Sequence, residues 1–240
     1  MRYLALALLI PVAACGMSAT YASDNQDGIA PEGTGATRSY AARDFTRVSI
    51  AGPDDVEVRT GAFSVRAEGD PAVLDRLVIQ RDGTSLRVGR RNGMTWNKGK
   101  ARVIVTMPAI EEAAISGSGS FRIGNVDGQR FRGAISGSGN IAVEAMRAGE
   151  VEFGISGSGN VTAAGQAQAL TVRIAGSGDV QARGLTAARA TVSVAGSGNV
   201  DATVRGPADV RLAGSGDIDL GPDARCVTRK GGSGTVRCGN

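Results

Sequence analysis

The stretch GAISGSGNIAV (residues 133–143) decides the fold of this chain, because close variants of it recur along the whole C-terminal half. The central Gly-Ser-Gly triplet occurs seven times, with spacings of 18 to 20 residues, beginning at Gly117, Gly137, Gly157, Gly176, Gly196, Gly214 and Gly232. A degenerate eighth copy, VSIAGPDDVEV, lies upstream at residues 48–58. A period this regular predicts one small structural unit that is stacked repeatedly along an axis.

Apolar and polar residues alternate within each unit. In one copy Val172, Ile174, Val180 and Ala182 share one parity with the two glycines of the triplet, and polar residues fall between them. Period-two alternation is typical of a strand with one buried face. The glycines at inward positions indicate a corner too tight for a side chain.

Coils of 18–20 residues with strand-like stretches and glycine corners predict an all-β fold, most simply a right-handed single-stranded β-helix. Seven or eight coils at about 4.8 Å each would form a rod of roughly 35–40 Å. Equivalent residues should stack into inner columns, one of Ile115, Ile135, Ile155, Ile174, Val194 and Leu212, another of Phe121, Ile141, Val161, Val180, Val200, Ile218 and Val236. A β-sandwich is the competing fold, but it does not require near-identical corners every 20 residues.

The N-terminus predicts export and a lipid anchor. Residues 1–14, MRYLALALLIPVAA, resemble a secretory signal peptide of the lipoprotein type, too short for a permanent membrane helix. Small residues directly precede Cys15, as in a bacterial lipobox, which predicts lipidation of that cysteine. Gly16 and Met17 follow it without an aspartate, which favours the outer membrane in a Gram-negative cell. The alternative is an ordinary signal peptide cut after Ala22, giving a secreted or periplasmic protein.

Composition divides the remainder of the chain. Residues 15–44, rich in small and polar residues, predict a flexible tether, and residues 45–240 a single β-helix domain. Within this domain residues 61–108 lack the triplet and predict irregular first coils, whereas residues 109–240 carry the regular repeats. The formal net charge of +4 is mild and gives no reason to expect nucleic acid as a partner.

Two cysteines flank the last triplet. If Cys15 carries lipid, Cys226 and Cys238 remain as a pair that would form a disulfide in an oxidising compartment. A loop this short stabilises a fold by about 3 kcal/mol in the chain-entropy model, and a terminal coil with one neighbour needs such a cap. A metal site is the alternative, but the chain has no histidine to complete it.

The irregular stretch holds the one basic and aromatic cluster that stands apart from the repeat. This candidate ligand surface consists of Arg87, Arg90, Arg91, Trp96, Lys98, Lys100 and Arg102. Such a cluster could attract an anionic glycan or a lipid headgroup. The alternative is a solvated loop with its tryptophan packed on the edge of the core. Residues 81–84 predict a hairpin turn, and residues 71–77 a short helical turn.

The sequence lacks histidine and the common nucleophile and phosphate-binding motifs of enzymes. The chain has no histidine, and its Gly-Ser-Gly triplets lie in predicted strands or corners rather than before a helix. No cofactor and no metal are therefore predicted. The outward residues should form two ladders, one of serines (Ser118, Ser138, Ser158, Ser177, Ser197, Ser215, Ser233) and one of amides and carboxylates (Asn140, Asn160, Asp179, Asn199, Asp217). The ladders either hydrogen-bond coil to coil or present donors and acceptors to sugar hydroxyls.

Together these motifs resemble a known family, the bacterial putative auto-transporter adhesins of the head GIN domain type. The resemblance covers residues 45–238 and rests on the ISGSGN and AGSGDV repeats, on FTRVSIAGPDDVEV (residues 45–58) and on VTMPAIEEAAISGSGS (residues 105–120). It implies a β-helical, secreted or envelope-anchored protein without enzymatic activity, and it supplies no catalytic residues.

The leading hypothesis is a non-enzymatic cell-envelope lipoprotein, anchored in the outer membrane, that acts as an adhesin-like or ligand-binding module. Its expected partners are a glycan or another envelope surface component, and the membrane through the lipid anchor, with an oligomer possible in principle. A purely structural envelope protein is the alternative, and a polysaccharide-acting β-helix enzyme is a third. A glycan-binding screen with turnover monitored would separate the three.

Overall fold

A computed structural model describes residues 28–91 and 99–239 of the chain. The first part contains the strands β1 (Pro31–Glu32), β2 (Thr37–Tyr40), β3 (Arg47–Gly52), β4 (Asp55–Thr60) and β5 (Ser64–Glu68), the helix α1 (Pro71–Leu74), and the strands β6 (Leu77–Asp82), β7 (Ser85–Arg90), β8 (Arg102–Met107) and β9 (Glu112–Gly117). The repeats form β10 (Ser120–Gly137), β11 (Asn140–Gly157), β12 (Asn160–Gly176), β13 (Val180–Gly196), β14 (Val200–Val204), β15 (Pro207–Gly214), β16 (Asp217–Asp219), β17 (Arg225–Gly231) and β18 (Thr235–Arg237).

The repeats form a parallel β-solenoid. Each of the strands β10 to β13 makes nearly a full turn of 17 or 18 residues and pairs in parallel with the next turn. Both predicted inner columns are confirmed, since Ile135 pairs with Ile115 and Ile155 with Ile174, and the other members pair likewise. The predicted fold class is confirmed, with about six turns against the seven or eight coils expected.

The two glycines of each triplet are required for different reasons. Gly176 has a φ of +135°, a backbone conformation that other residues rarely adopt. Gly178 is buried, and a Cβ there would lie 2.2 Å from the carbonyl oxygen of Gly159 and 2.7 Å from the Ile155 side chain. Successive corners therefore approach so closely that the triplet must recur once in every turn.

The buried positions show where each turn changes direction. In β11 the buried residues are odd-numbered at Ile141 and Val143, even-numbered at Met146 and Ala148, and odd-numbered again from Val151. A change of parity on one continuous strand requires a bend, because side chains alternate strictly along a straight strand. Each such turn thus has two bends in addition to its Gly-Ser-Gly corner.

At the N-terminal end of the domain the strands follow one another in space in a different order from that in the sequence. Strand β3 pairs in parallel with β7 on one edge and with β9 on the other, and β4 lies between β8 and β10 in the same way. The first coil in sequence is therefore the second in space. Antiparallel β2, β5 and β6, with helix α1, close this end, and the predicted hairpin turn and helical turn are confirmed.

The ordered domain begins earlier than the sequence predicted. Strand β2 pairs with β5, Tyr40 is buried, and the Arg38 guanidinium donates to Asp75 at 2.8 Å. Burial raises the pKa of the Tyr40 hydroxyl. The predicted tether of residues 15–44 is therefore wrong for residues 37–44, where a polar composition concealed a strand whose partner lies beyond residue 60. The predicted signal peptide and Cys15 lie outside the described residues.

The C-terminal coil ends the hydrophobic core with polar residues. In β17, Thr228 and Lys230 stand below Val210 and Leu212 in the inner columns, and the Lys230 ammonium donates to the Gly234 carbonyl at 2.7 Å. Cys226 and Cys238 form a disulfide with a Cα–Cα distance of 6.2 Å, as the sequence predicted. An inward charge and a covalent clip are two ways to stop a solenoid from continuing at its edge.

Candidate functional site

Arg90, one residue of the predicted ligand surface, belongs to the interior of the N-terminal cap. Its guanidinium donates to both carboxylate oxygens of Asp54, at 2.8 and 2.5 Å, and to the Gly99 carbonyl at 2.8 Å. Asp54 is fully buried and also accepts the backbone N–H of Ala101 at 2.7 Å. The hydrogen bonds to Asp54 raise the pKa of Arg90. Arg90 is thus paired with Asp54, and its place in a ligand surface stays a prediction.

The remaining described cations of that surface also have partners. Arg102 forms an ion pair with Glu57, and their hydrogen bond, assisted by Arg59, lowers the pKa of Glu57. Lys100 lies 3.4 Å from Asp55, and Arg87 lies 3.8 Å from Asp82. The Arg91 carbonyl accepts from Arg76 at 2.7 Å. Trp96 and Lys98 lie outside the described residues, so a ligand-binding role for this surface stays a prediction.

The amide and carboxylate ladder holds the coils together. The Asn160 amide donates to the Asn140 side-chain oxygen at 3.1 Å, and the oxygen of Asn160 accepts the Asp179 backbone N–H at 3.2 Å. The same pattern continues through Asn199 and Asp217 to the backbone of Thr235. These hydrogen bonds satisfy corner N–H groups, which is the structural alternative that the sequence left open.

The serine ladder is exposed. Its members are open to solvent, and its last two hydroxyls, of Ser233 and Ser215, form a hydrogen bond of 3.1 Å. Backbone N–H groups of Ser138 and Ser158 donate to glycine carbonyls of the preceding corner at 2.9 Å. The backbone of this column is therefore structural, while most of its hydroxyls face water.

A charged groove crosses the coils on the part of each turn that precedes the triplet. It encloses about 1020 Å³ and crosses several coils. Its lining is mostly long polar and charged side chains: Arg47, Glu111, Glu112, Gln129, Arg130, Arg132, Glu150, Glu152, Gln168, Thr171 and Arg189, with Gly149, Val151 and Ala169 as small or inward residues. We call this surface the charged groove.

The groove exists because its floor has small residues where its rims have long ones. Gly149 lies beside the Gln129 carbonyl, which a Cβ would approach to 2.8 Å. In the neighbouring column Arg130, Glu150, Ala169 and Arg189 follow one another in register from coil to coil. The short side chain of Ala169 leaves a depression between the longer ones.

The carboxylates of the groove are engaged within the protein, but two of its guanidiniums are not. Glu150 pairs with Arg130 at 3.0 Å and Glu152 with Arg173 at 2.5 Å. Glu112 lies 3.9 Å from Arg47, and Glu111 accepts the Thr46 hydroxyl at 2.9 Å. Arg132 and Arg189 are exposed and form no ion pair with any residue in the described ranges.

This groove was not predicted from the sequence. Most of its members lie within the strands, on the part of each repeat that precedes the triplet and varies most. One signal was available, because Gln129 and Gln168 occupy corresponding positions separated by two coils. The groove also depends on the orientation of side chains across six strands, which a single repeat does not specify.

Most of the chain matches a known protein family. The family described as "Putative auto-transporter adhesin, head GIN domain" matches residues 44–223, which is most of the sequence. The chain belongs to this family. No curated protein matches it.

Solved structures with the same fold as this GIN-domain chain include proteins from Bacteroides and Parabacteroides species. A putative adhesin from Bacteroides fragilis is 20% identical, with a TM-score of 0.73, and the match covers 88% of this chain and 100% of that one. A putative lipid binding protein from Parabacteroides distasonis is 21% identical, with a TM-score of 0.69 and coverage of 87% and 98%. A putative adhesin from the same species is 22% identical, with a TM-score of 0.66 and coverage of 88% and 100%. At these identities the likeness concerns the fold alone.

Two further observations describe the GIN domain. Among residues 28–91 and 99–239, no group of three or more histidine, cysteine or acidic side chains is arranged to hold a metal ion. No helix within the same ranges has the length and apolar character needed to cross a membrane.

Proposed function

We propose that this GIN-domain protein is a non-enzymatic, adhesin-like binding module of the cell envelope, and that the charged groove is its ligand-binding surface. The observation that carries the proposal is the groove itself. It places charged and amide groups side by side along a rigid scaffold, with two guanidiniums that have no partner in the described part of the chain. Because the backbone that carries these side chains is already ordered, binding a ligand does not have to order the main chain.

A purely structural envelope protein is the alternative. The Asn and Asp ladder supports it, because these residues serve coil-to-coil hydrogen bonds rather than a ligand. The groove favours binding instead, since Arg132 and Arg189 contribute no ion pair to the fold. A role that is only structural gives no reason for two long cationic side chains beside a depression.

Retention on isolated envelope fragments tests the binding function. Ala169→Trp would fill the depression, whereas Ala142→Trp puts the same side chain on an outward, half-buried position away from the groove. We expect the first variant to lose retention and the second to keep it, with equal thermal stability. Equal retention of both folded variants would refute the groove as the binding surface.

Anchoring through Cys15 is the second part of the proposal. It is supported by the lipobox-like residues before that cysteine and by the membership of an adhesin family. In cells fed a labelled fatty acid, the protein should become labelled and fractionate with the outer membrane. Cys15→Ala should abolish the label, and an unlabelled wild-type protein recovered in the soluble fraction would contradict the anchor.

A further inference from the structure

Arg132 and Arg189 stand in neighbouring columns of the groove, three coils apart, and the register gives their separation. Arg132 pairs with Glu152, Glu152 with Thr171, and Thr171 with Thr191, which follows Arg189 by two residues. Three inter-strand steps of about 4.8 Å place their Cα atoms about 14 Å apart along the axis, and two residues of strand place them about 7 Å apart across it. The groove thus has a cationic group near each end of a strip three coils long.

The groups between the two cations suit hydroxyls better than charges. Gln168 and Thr171 line this strip and offer an amide and a hydroxyl. The carboxylates of Glu150 and Glu152 are occupied by Arg130 and Arg173. A guanidinium binds a carboxylate through two parallel hydrogen bonds, whereas amides and hydroxyls donate to and accept from sugar hydroxyls.

From this pattern we infer that the charged groove binds a linear acidic polysaccharide that crosses the coils obliquely, with carboxylates at Arg132 and Arg189 and neutral sugar hydroxyls between them. The inference rests on the proposed binding function and names the ligand class for the same site. An anionic lipid headgroup has the same charge but is compact, and a single headgroup could not reach both guanidiniums. The elongated strip therefore favours the polymer.

Hyaluronan oligosaccharides provide a defined probe, because sugars that carry a carboxylate alternate with neutral sugars along their chain. We expect the full-length protein to bind a hexamer more tightly than a dimer, and both more tightly than their carboxyl-reduced counterparts. Arg132→Gln or Arg189→Gln should each lower the affinity for the hexamer about fivefold, and the double variant about 25-fold, if each exposed ion pair contributes at its usual upper limit. For the dimer, which is too short to span the strip, the double variant should lose no more than about fivefold.

A matched control removes the same charge elsewhere. Arg147 and Arg225 are also exposed, lie outside the groove and form no ion pair in the described part of the chain. Arg147→Gln/Arg225→Gln lowers the net charge by the same two units and should bind the hexamer like the wild type. Equal losses in the two double variants would show that binding follows net charge and would overturn the inference.

The remaining outcomes separate this inference from the proposed function. Equal binding of the carboxyl-reduced hexamer, or retention on envelope fragments with no binding of any hyaluronan oligosaccharide, would overturn the acidic ligand and leave the binding function standing. Binding only to vesicles that contain phosphatidylglycerol would replace the polysaccharide by a membrane surface. If the wild-type protein binds neither the oligosaccharides nor the envelope fragments, the proposed function itself is refuted.

Discussion

Replacing Arg90 by glutamine would leave a carboxylate in the interior of the N-terminal cap without its cation. Asp54 is fully buried, while the Arg90 side chain is 18% exposed, so the pair is shielded from water mainly on the carboxylate side. Glutamine can still donate one hydrogen bond, but it carries no charge to balance Asp54. The bond from the Ala101 N–H to Asp54, at 2.7 Å, would remain.

The size of the effect follows from this burial. Removal of one partner from a buried ion pair costs about 3–5 kcal/mol, because the remaining charge cannot be solvated. Glutamine and the Ala101 N–H compensate part of this cost, so we expect the free energy of unfolding to fall by about 3 kcal/mol. Asp54→Asn combined with Arg90→Gln removes both charges and should recover about 2 kcal/mol of that loss.

Urea denaturation followed by far-ultraviolet circular dichroism measures these differences. The matched control is Arg87→Gln, since Arg87 and its partner Asp82 are 63% and 78% exposed and lie 3.8 Å apart. An exposed pair of this kind contributes about 0–1 kcal/mol. The reasoning is refuted if Arg90→Gln is as stable as Arg87→Gln, or if the double variant is less stable than Arg90→Gln alone.

Three further changes test other parts of the structure. Ile155→Asp would bury a charge in an inner column and should cost several kcal/mol, whereas Ser158→Ala on the outer ladder should cost less than about 0.5 kcal/mol; equal stability of the two in urea would contradict the assigned columns. Lys230→Leu extends an apolar column to the end of the solenoid and should cause concentration-dependent association in sedimentation velocity. Arg229→Leu, on the outward column, should not. If neither variant associates, Lys230 does not protect the end of the solenoid from association. The lowered pKa of Glu57 means that its stabilising effect is present above the ordinary glutamate pKa of about 4.3 and is lost as the pH falls through its lower value in the folded protein. Glu57→Gln should therefore lose less thermal stability than the wild type on acidification, and parallel melting curves would count against the Glu57 ion pairs.

The candidate site shows where prediction from sequence ended. The basic residues of the irregular stretch were predicted to form an open surface, but the carboxylates that bind them lie far away in the sequence: Asp54 is 36 residues from Arg90, and Glu57 is 45 from Arg102. No local pattern links such residues, because they meet only when β7 and β8 stack on β3 and β4. The charged groove was missed for a related reason, since it is formed by side chains of successive coils rather than by any one segment.

The sequence by itself determined the solenoid, its columns and its terminal disulfide. Each coil contacts mainly the coils before and after it, so the contacts of Ile155 with Ile135 and Ile174 follow from a shift of about 20 residues along the chain. Only the tertiary structure decided the cap, where the chain passes the first coil and returns, and where β2 joins the domain through pairing with β5. The physical reason is that the repeats form the same contacts between neighbouring coils at every turn, whereas the cap depends on strand pairings between distant segments that occur only once.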